Sequence, residues 1–171
     1  MRAHIAYFKY VCRHKWFVFL ACLKWKVPLW RAIIHDWTKF TIAEWSPYVH
    51  SFYNPDGSKR RVRDTTGAYD PNKISRDFSY AWNHHEKNNS HHWGYWIVTS
   101  GDYGKVEPLP MPETYVREML ADWEGAGRAI TGNADPQGWY IKNGEKFLLH
   151  DDTRALVESL LFGGNQPNNQ L

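Results

Sequence analysis

Residues 2–26 read RAHIAYFKYVCRHKWFVFLACLKWK, and this stretch decides the fold class. It holds no acidic residue, no glycine and no proline. Tyr7, Tyr10, Val11, His14, Phe17, Val18 and Ala21 recur at three- and four-residue spacing, which predicts one buried helical face. Lys9, Arg13 and Lys24 fall largely off that stripe. Pro28 ends the helix and suits the start of a second, running through Trp30, Ile33, Ile34 and His35 to about Lys39. Thr41, with Glu44 three residues later, has the spacing of a capping box ahead of a short third helix.

The same pattern continues outward. A helix is expected from near Ser75 through Phe78, Trp82, His85 and Asn89, with an extended stretch around Tyr95–Val98. Ser100-Gly101-Asp102-Tyr103-Gly104 interrupts it. Pro110-Met111-Pro112-Glu113 opens another helix, on which Tyr115, Met119, Asp122, Trp123 and Ala126 share a face, and Gly132-Asn133 closes it. Asp135-Pro136 favours a short helix through Trp139 and Tyr140, although Asn143-Gly144 would also suit a hairpin turn. A last helix, Thr153–Phe162, is capped by Asp151 or Asp152 and stopped by Gly163-Gly164. The expectation is an all-α, compact bundle of six or seven helices in one domain over residues 1–164, with residues 165–171 a frayed polar tail.

One segment breaks the pattern, a surface loop over about 51–73. Asn54-Pro55-Asp56-Gly57-Ser58 is turn chemistry, and the basic run Lys59-Arg60-Arg61-Val62-Arg63 follows. Loops of this length inside compact domains are often functional.

Composition narrows the class. Of 171 residues, 43% are hydrophobic and 23% charged, which excludes a disordered or collagenous chain. The net charge of +3 does not favour nucleic acid as a partner. Cys12 and Cys22 stand about 15 Å apart along one helix, beyond disulfide reach, so free thiols and a reducing, cytoplasmic location are expected. Charges interrupt every apolar run, so neither a signal peptide nor a spanning helix is read, and no membrane partner is expected. Residues 1–31 carry seven Lys or Arg and no acid, whereas 107–162 carry ten acids against five bases. The two ends either attract one another across the fold or leave a basic mouth for anions.

Nine histidines raise the prospect of metal or acid–base chemistry. They gather as His14, His35-Asp36, His84-His85 and His91-His92, and Asp122 follows. Oxygen and imidazole donors together suit Mn, Fe, Co, Ni or Zn rather than Ca. Were the helix continuous, residues seven apart would lie about 10 Å from one another, too far to chelate one ion. At most one or two of the four middle histidines then ligate, unless the helix breaks between Asn88 and Ser90. Each candidate also has a structural alternative. His14 could be a core histidine, His35-Asp36 an ion pair at a helix end, and Asp122 an acceptor for a Trp indole. His4 is a reserve first ligand; His50 and His150 read as surface residues.

The ordered set of a lone His, then His-Asp, further histidines and a late Asp resembles the HD-domain metal-dependent phosphohydrolase superfamily. His35-Asp36-Trp37-Thr38-Lys39 looks like its HD-x-x-K variant. Arg13-His14-Lys15-Trp16, Ala81-Trp82-Asn83-His84-His85 and Glu118-Met119-Leu120-Ala121-Asp122-Trp123 are also similar in wording to an uncharacterised bacterial and phage family of short His-rich proteins. The first resemblance implies hydrolysis of a nucleotide or other small phosphoester by a metal-activated water. It assigns one or two divalent ions to His14, His35, Asp36 and Asp122, with His85 and His92 for a second. His84, His91 and Glu44 are alternative or supporting ligands. Asp36 and Lys39 would be catalytic, with Lys39, Arg60, Arg61 and Arg63 contacting substrate. A di-iron oxygenase of the HD type, or a non-catalytic protein binding a nucleotide-like ligand around a structural metal, are the alternatives.

Overall fold

The computed structural model describes residues 1–101 and 104–163. The expected frayed tail and Asp102-Tyr103 therefore lie outside the described residues. Among the described residues there are seven α-helices: α1 (Arg2–Lys24), α2 (Leu29–Ile34), α3 (Ile42–Phe52), α4 (Arg76–Asn88), α5 (Glu113–Thr131), α6 (Pro136–Asn143) and α7 (Asp151–Phe162). A two-stranded antiparallel ribbon, β1 (Ile97–Ser100) and β2 (Lys105–Pro108), pairs Ile97 with Pro108 and Val98 with Glu107. The all-α bundle stands, with this ribbon its small extended addition.

Helix α1 is the spine. Its buried face is Ala3, Tyr7, Val11, His14, Val18, Ala21 and Cys22, close to the stripe read from spacing. Val11 and Val18 lose all solvent contact, worth about 1.5–3 kcal/mol for each such side chain. Three apolar clusters surround the spine. Tyr7 and Val11 pack with Tyr48 of α3 and Phe78 of α4. Val18 and Cys22 pack with Ala32 of α2 and Ala121 of α5. Met119 and Leu120 of α5 pack with Tyr140 of α6 and Val157 of α7. His14 thus lies between a residue of the first cluster and one of the second, a polar group inserted into the core. Two charge pairs, Lys24 with Glu124 and Arg31 with Glu118, join the basic N-terminal part to the acidic α5. Charge attraction across the fold therefore accounts for part of the asymmetry.

Local starts and stops follow side-chain chemistry. Ser75 caps α4 by accepting from the Phe78 N–H at 3.1 Å. Asp135 caps α6 by accepting from the Gly138 N–H at 2.8 Å, so the helix prevails over a hairpin there. Gly132 closes α5 at φ 84°, a left-handed conformation that glycine adopts without penalty. Two expected caps are different. The α7 cap is His150, whose Nδ1 accepts from the Asp152 N–H at 3.2 Å, not Asp151 or Asp152. The Thr41–Glu44 capping box is absent, because Thr41 makes no side-chain cap and Glu44 is fully buried on another errand. The second helix also stops early, at Ile34. A separate 3₁₀ turn covers Trp37–Phe40.

The long loop is built rather than slack, and its helix-free part covers 53–75 because α3 runs to Phe52. Asp56, Asp64 and Asp70 each accept an N–H from two residues on, at 2.9, 2.8 and 3.0 Å. Bridges Tyr53–Lys59 and Arg63–Tyr69 close the turns, and Thr66 donates to Asn143 of α6 at 2.9 Å. Cys12 and Cys22 are both unpaired thiols, as their spacing requires. No described helix is long and apolar enough to cross a membrane.

Helices α1 and α5 pack closely at Gly125, where an added Cβ would stand 2.6 Å from the Val18 backbone. Gly125→Ala must therefore push the helices apart, at about 1–3 kcal/mol for overpacking. The thermal midpoint should fall by roughly 2–4 °C per kcal/mol in differential scanning calorimetry. An unchanged midpoint would contradict this packing.

Candidate metal centre

The chain breaks at His35-Asp36, and the break creates the centre. Asp36 sits at φ 56°, ψ 28°, in the left-handed region that Asp tolerates better than most residues. This turn sends His35 and Asp36 inward together, which a continuous helix would not do. The Lys15 ammonium holds the turn by donating to the His35 carbonyl. His14 enters from α1, His85 from α4, and Glu118 and Asp122 from α5.

Asp36 is buried, and its two oxygens face different neighbours. Oδ2 lies 2.8 Å from His14 Nε2 and 3.4 Å from His35 Nε2, with Lys39 Nζ also in contact. Asp122 Oδ1 completes that side, 3.4 Å from His14 Nε2 and 3.5 Å from His35 Nε2. Asp36 Oδ1 lies 3.3 Å from His85 Nε2 and 3.4 Å from His91 Nε2. His92 Nε2 approaches His85 Nε2 at 2.8 Å. Two donor sets share Asp36, His14–His35–Asp36–Asp122 and Asp36–His85–His91–His92, and a third group, His35–His91–Glu118, adjoins them; the donor atoms of each lie within 4.8 Å of one another.

These sets could hold a metal ion. Among the described residues, the buried polar atoms without a hydrogen bond include His35 Nε2, Asp36 Oδ1, His91 Nε2 and Asp122 Oδ1. Each such orphan costs about 1–3 kcal/mol unless something satisfies it. All four point into the sets. The separations of 3.3–3.5 Å are long for hydrogen bonds. They match the spacing of roughly 3.4 Å between donors that each lie about 2.1 Å from a shared tetrahedral ion.

Around the donors lies a layer that orients them. Glu118 Oε1 stands 3.1 Å from His35 Nδ1 and 3.4 Å from His91 Nδ1, so one carboxylate turns both Nε2 atoms toward Asp36. Arg31 fixes Glu118 from behind, donating Nε to Oε2 at 2.6 Å. Glu44 plays the same part for His85, with Oε2 2.8 Å from its Nδ1. Carboxylate-backed imidazoles of this kind fix tautomer and raise donor basicity. Asn89 donates to Thr38 Oγ1 at 2.7 Å and to the His85 carbonyl at 2.8 Å.

The electrostatics follow from burial opposed by charge. Burial pushes His14 down to about 4, so its imidazole is neutral and its nitrogen available. Burial and the neighbouring His91 and His85 hold His92 well below the usual range. For His35 burial acts the same way, but Asp36, Asp122 and Glu118 outweigh it and raise the imidazole well above its ordinary value. His85 is likewise raised against burial, by Asp36 and Glu44. Burial would raise Asp36 and Asp122, yet the surrounding imidazoles, joined at Asp36 by Lys39, keep both carboxylates ionised. Lys39 stays charged against burial because Asp36 faces it. The centre opens to solvent along Asp122, Lys39 and His92, the partly exposed members.

The sequence-expected residues divide clearly. His14, His35, Asp36, His85, His92 and Asp122 come together. His91 joins them as a donor, because α4 ends at Asn88 and the chain turns back. His84 does not join; it points to Glu44 Oε1 at 2.9 Å. Glu44 belongs to no donor set and acts through His84 and His85. His4 is not the first ligand: its Nδ1 accepts from the Trp45 indole at 3.0 Å near the surface. Arg60, Arg61 and Arg63 lie off the donors and line a cavity of about 150 Å³ with Tyr10, Tyr53 and Tyr69. Tyr10 links the two places, its ring stacked over His14 at 6.1 Å between centroids. Sequence reasoning missed Glu118 as a functional residue. Its spacing of four from Asp122, on one face of one helix, was the available signal.

Asp36→Ala should strip bound divalent metal from the purified protein, read by elemental analysis, while His50→Ala leaves it unchanged. Glu118→Gln removes the charge behind two imidazoles and should weaken metal binding by about 10–100-fold in titration calorimetry. Full metal retention in the Asp36 variant would refute the assignment.

No curated protein and no solved structure matches the chain. The sequence profile of a family of unknown function, DUF5662, matches residues 3–162. Nearly the whole helical bundle, with every donor described above, lies within that match, and the chain belongs to this family.

Proposed function

We propose that this protein is a metal-dependent phosphohydrolase acting on a nucleotide or other small phosphoester, divergently related to the HD-domain superfamily. The observation that carries the reading is the shared Asp36, one buried carboxylate with an oxygen in each of two adjacent donor sets. His14, His35 and Asp122 would hold one divalent ion with it, and His85, His91 and His92 a second. Mn, Fe, Co, Ni and Zn all suit this mixed donor set. When bound, such ions lower the pKa of a coordinated water and neutralise charge developing on a phosphoryl group.

The chain's own residues would do the rest. Lys39 carries a fixed positive charge at the open side of the centre, placed to receive a phosphoryl oxygen. Its contacts with Asp36 and with His14 Nε2 at 3.2 Å hold that charge beside the donors. Glu118 and Glu44 keep three imidazoles aimed while charge builds. The adjacent cavity supplies binding. Arg63 is already oriented, 4.0 Å over the Tyr69 ring and donating to the Gly67 carbonyl at 2.7 Å. Among the described residues the Lys59 and Arg61 side chains make no hydrogen bond or ion pair, so their charge is available to a phosphate. Tyr10, Tyr53 and Tyr69 offer flat apolar surface for a base or ring.

A phosphate-release screen across nucleotides and aryl phosphates, with each of these metals, should find turnover. Lys39→Ala should keep its metal and lose about 100-fold or more in kcat/KM, as removal of one charge-stabilising donor does elsewhere. Asp122→Ala and His92→Ala should each lose part of the metal, whereas Asp36→Ala loses all of it. Dioxygen consumption by an iron form without phosphate release would replace this reading with the oxygenase. Tight ligand binding with no turnover under any metal would replace it with a binding protein.

A further inference from the structure

Helix α1 is apolar on two faces, and only one of them meets the core. Opposite the buried stripe, Ile5 and Phe8 in the first turns and Trp16, Leu20 and Leu23 further along form a second apolar face, all substantially exposed. The neighbouring segment continues it. Trp30, Ile33 and Trp37 are each more than half exposed. The two segments are tied side by side: Lys15 of α1 donates to the carbonyls of Ile33 and His35, and Phe8 and Phe40 flank the Trp45 ring at 6.4 and 6.1 Å. A scattered exposed aromatic needs no explanation, but three exposed tryptophans on two segments tied together do.

Charge says what covers it. Residues 1–35 hold seven Lys or Arg and no acid. Lys24 and Arg31 are spent on α5, but among the described residues no carboxylate pairs with Arg2, Lys9, Arg13 or Lys26. Such a face repels a second copy of itself, since two-fold docking would bring like charges together without a counter-charge. Tryptophan and leucine beside lysine and arginine on an outward helix face are the composition of an interfacial helix, which seats its apolar side among acyl chains while its cations meet anionic headgroups.

We propose that the α1–α2 face docks on an anionic lipid bilayer as a surface contact. The absence of a spanning helix, behind the expectation of no membrane partner, does not bear on docking of this kind. Binding is read without metal or substrate, so failure of the hydrolase reading leaves it standing.

The test is co-sedimentation of the full chain with vesicles of phosphatidylcholine alone or mixed with phosphatidylglycerol, with tryptophan emission recorded alongside. Binding to the anionic vesicles with a blue shift, and little to the neutral ones, is expected. Lys9→Gln and Arg13→Gln should each weaken partition about fivefold. Trp16→Glu with Trp30→Glu should abolish it while the thermal midpoint holds, both sites being exposed. No binding to either vesicle, or binding indifferent to these substitutions, would overturn the proposal. A dimer in light scattering that Trp30→Glu dissolves would equally overturn it, by giving the face to a second copy.

Discussion

A carboxylate with almost no access to water, Asp36, sets the terms for the rest of this structure. Burying an unpaired carboxylate costs several kcal/mol even after the protein relaxes. The chain meets that cost with the Lys39 ammonium, the His14 imidazole at 2.8 Å and a ring of further histidines. It holds Asp36 in a left-handed turn, and a lysine from α1 ties down the carbonyl just before it. Release of the turn would leave the histidines without their common charge and the core with a polar void.

The bundle is arranged around this requirement. Donors come from α1, the turn after α2, α4, the segment after α4, and α5, so the centre exists only when these parts are docked together. The close approach of α1 to α5 at Gly125 brings His14 and Asp122 within 3.4 Å, although they are distant in sequence. Glu118 and Glu44 extend the same logic outward, since each is itself buried and each turns an imidazole. Stability and the proposed chemistry draw on one set of contacts. Many of the polar atoms without a hydrogen bond sit at the centre rather than being spread through the fold.

Much of this was legible in the residues, and the exceptions have physical causes. The helices at residues 2–26 and 113–131 were readable because one apolar face must repeat every three or four positions. His14, His35-Asp36 and Asp122 were readable as an ordered set of chemical types. The choice among His84, His85, His91 and His92 was not, because it turns on where α4 ends, and Asn88 carries no signal that stops a helix unambiguously. Once the chain reverses there, His91 and His92 return to His85, while His84 is left to Glu44. Glu44 misled by local spacing: Thr41 and Glu44 have a capping-box pattern, but tertiary burial recruited the glutamate for histidines instead. The break at His35-Asp36 also defeated periodicity, since Ile33 and Ile34 continue a helical pattern that the left-handed Asp36 ends.

The proposed hydrolase rests on the double use of Asp36 more than on any single ligand. A lone buried ion pair would explain His14 and Lys39, and a structural site would explain one donor set. Neither explains why the second oxygen of the same carboxylate faces two further imidazoles, His85 and His91, with no hydrogen bond of its own. The most direct measurement is anomalous X-ray scattering from crystals grown with manganese. Two peaks should flank the Asp36 carboxylate, one beside Asp122 and one beside His92. A single peak away from Asp36, or none at this carboxylate, would contradict the account.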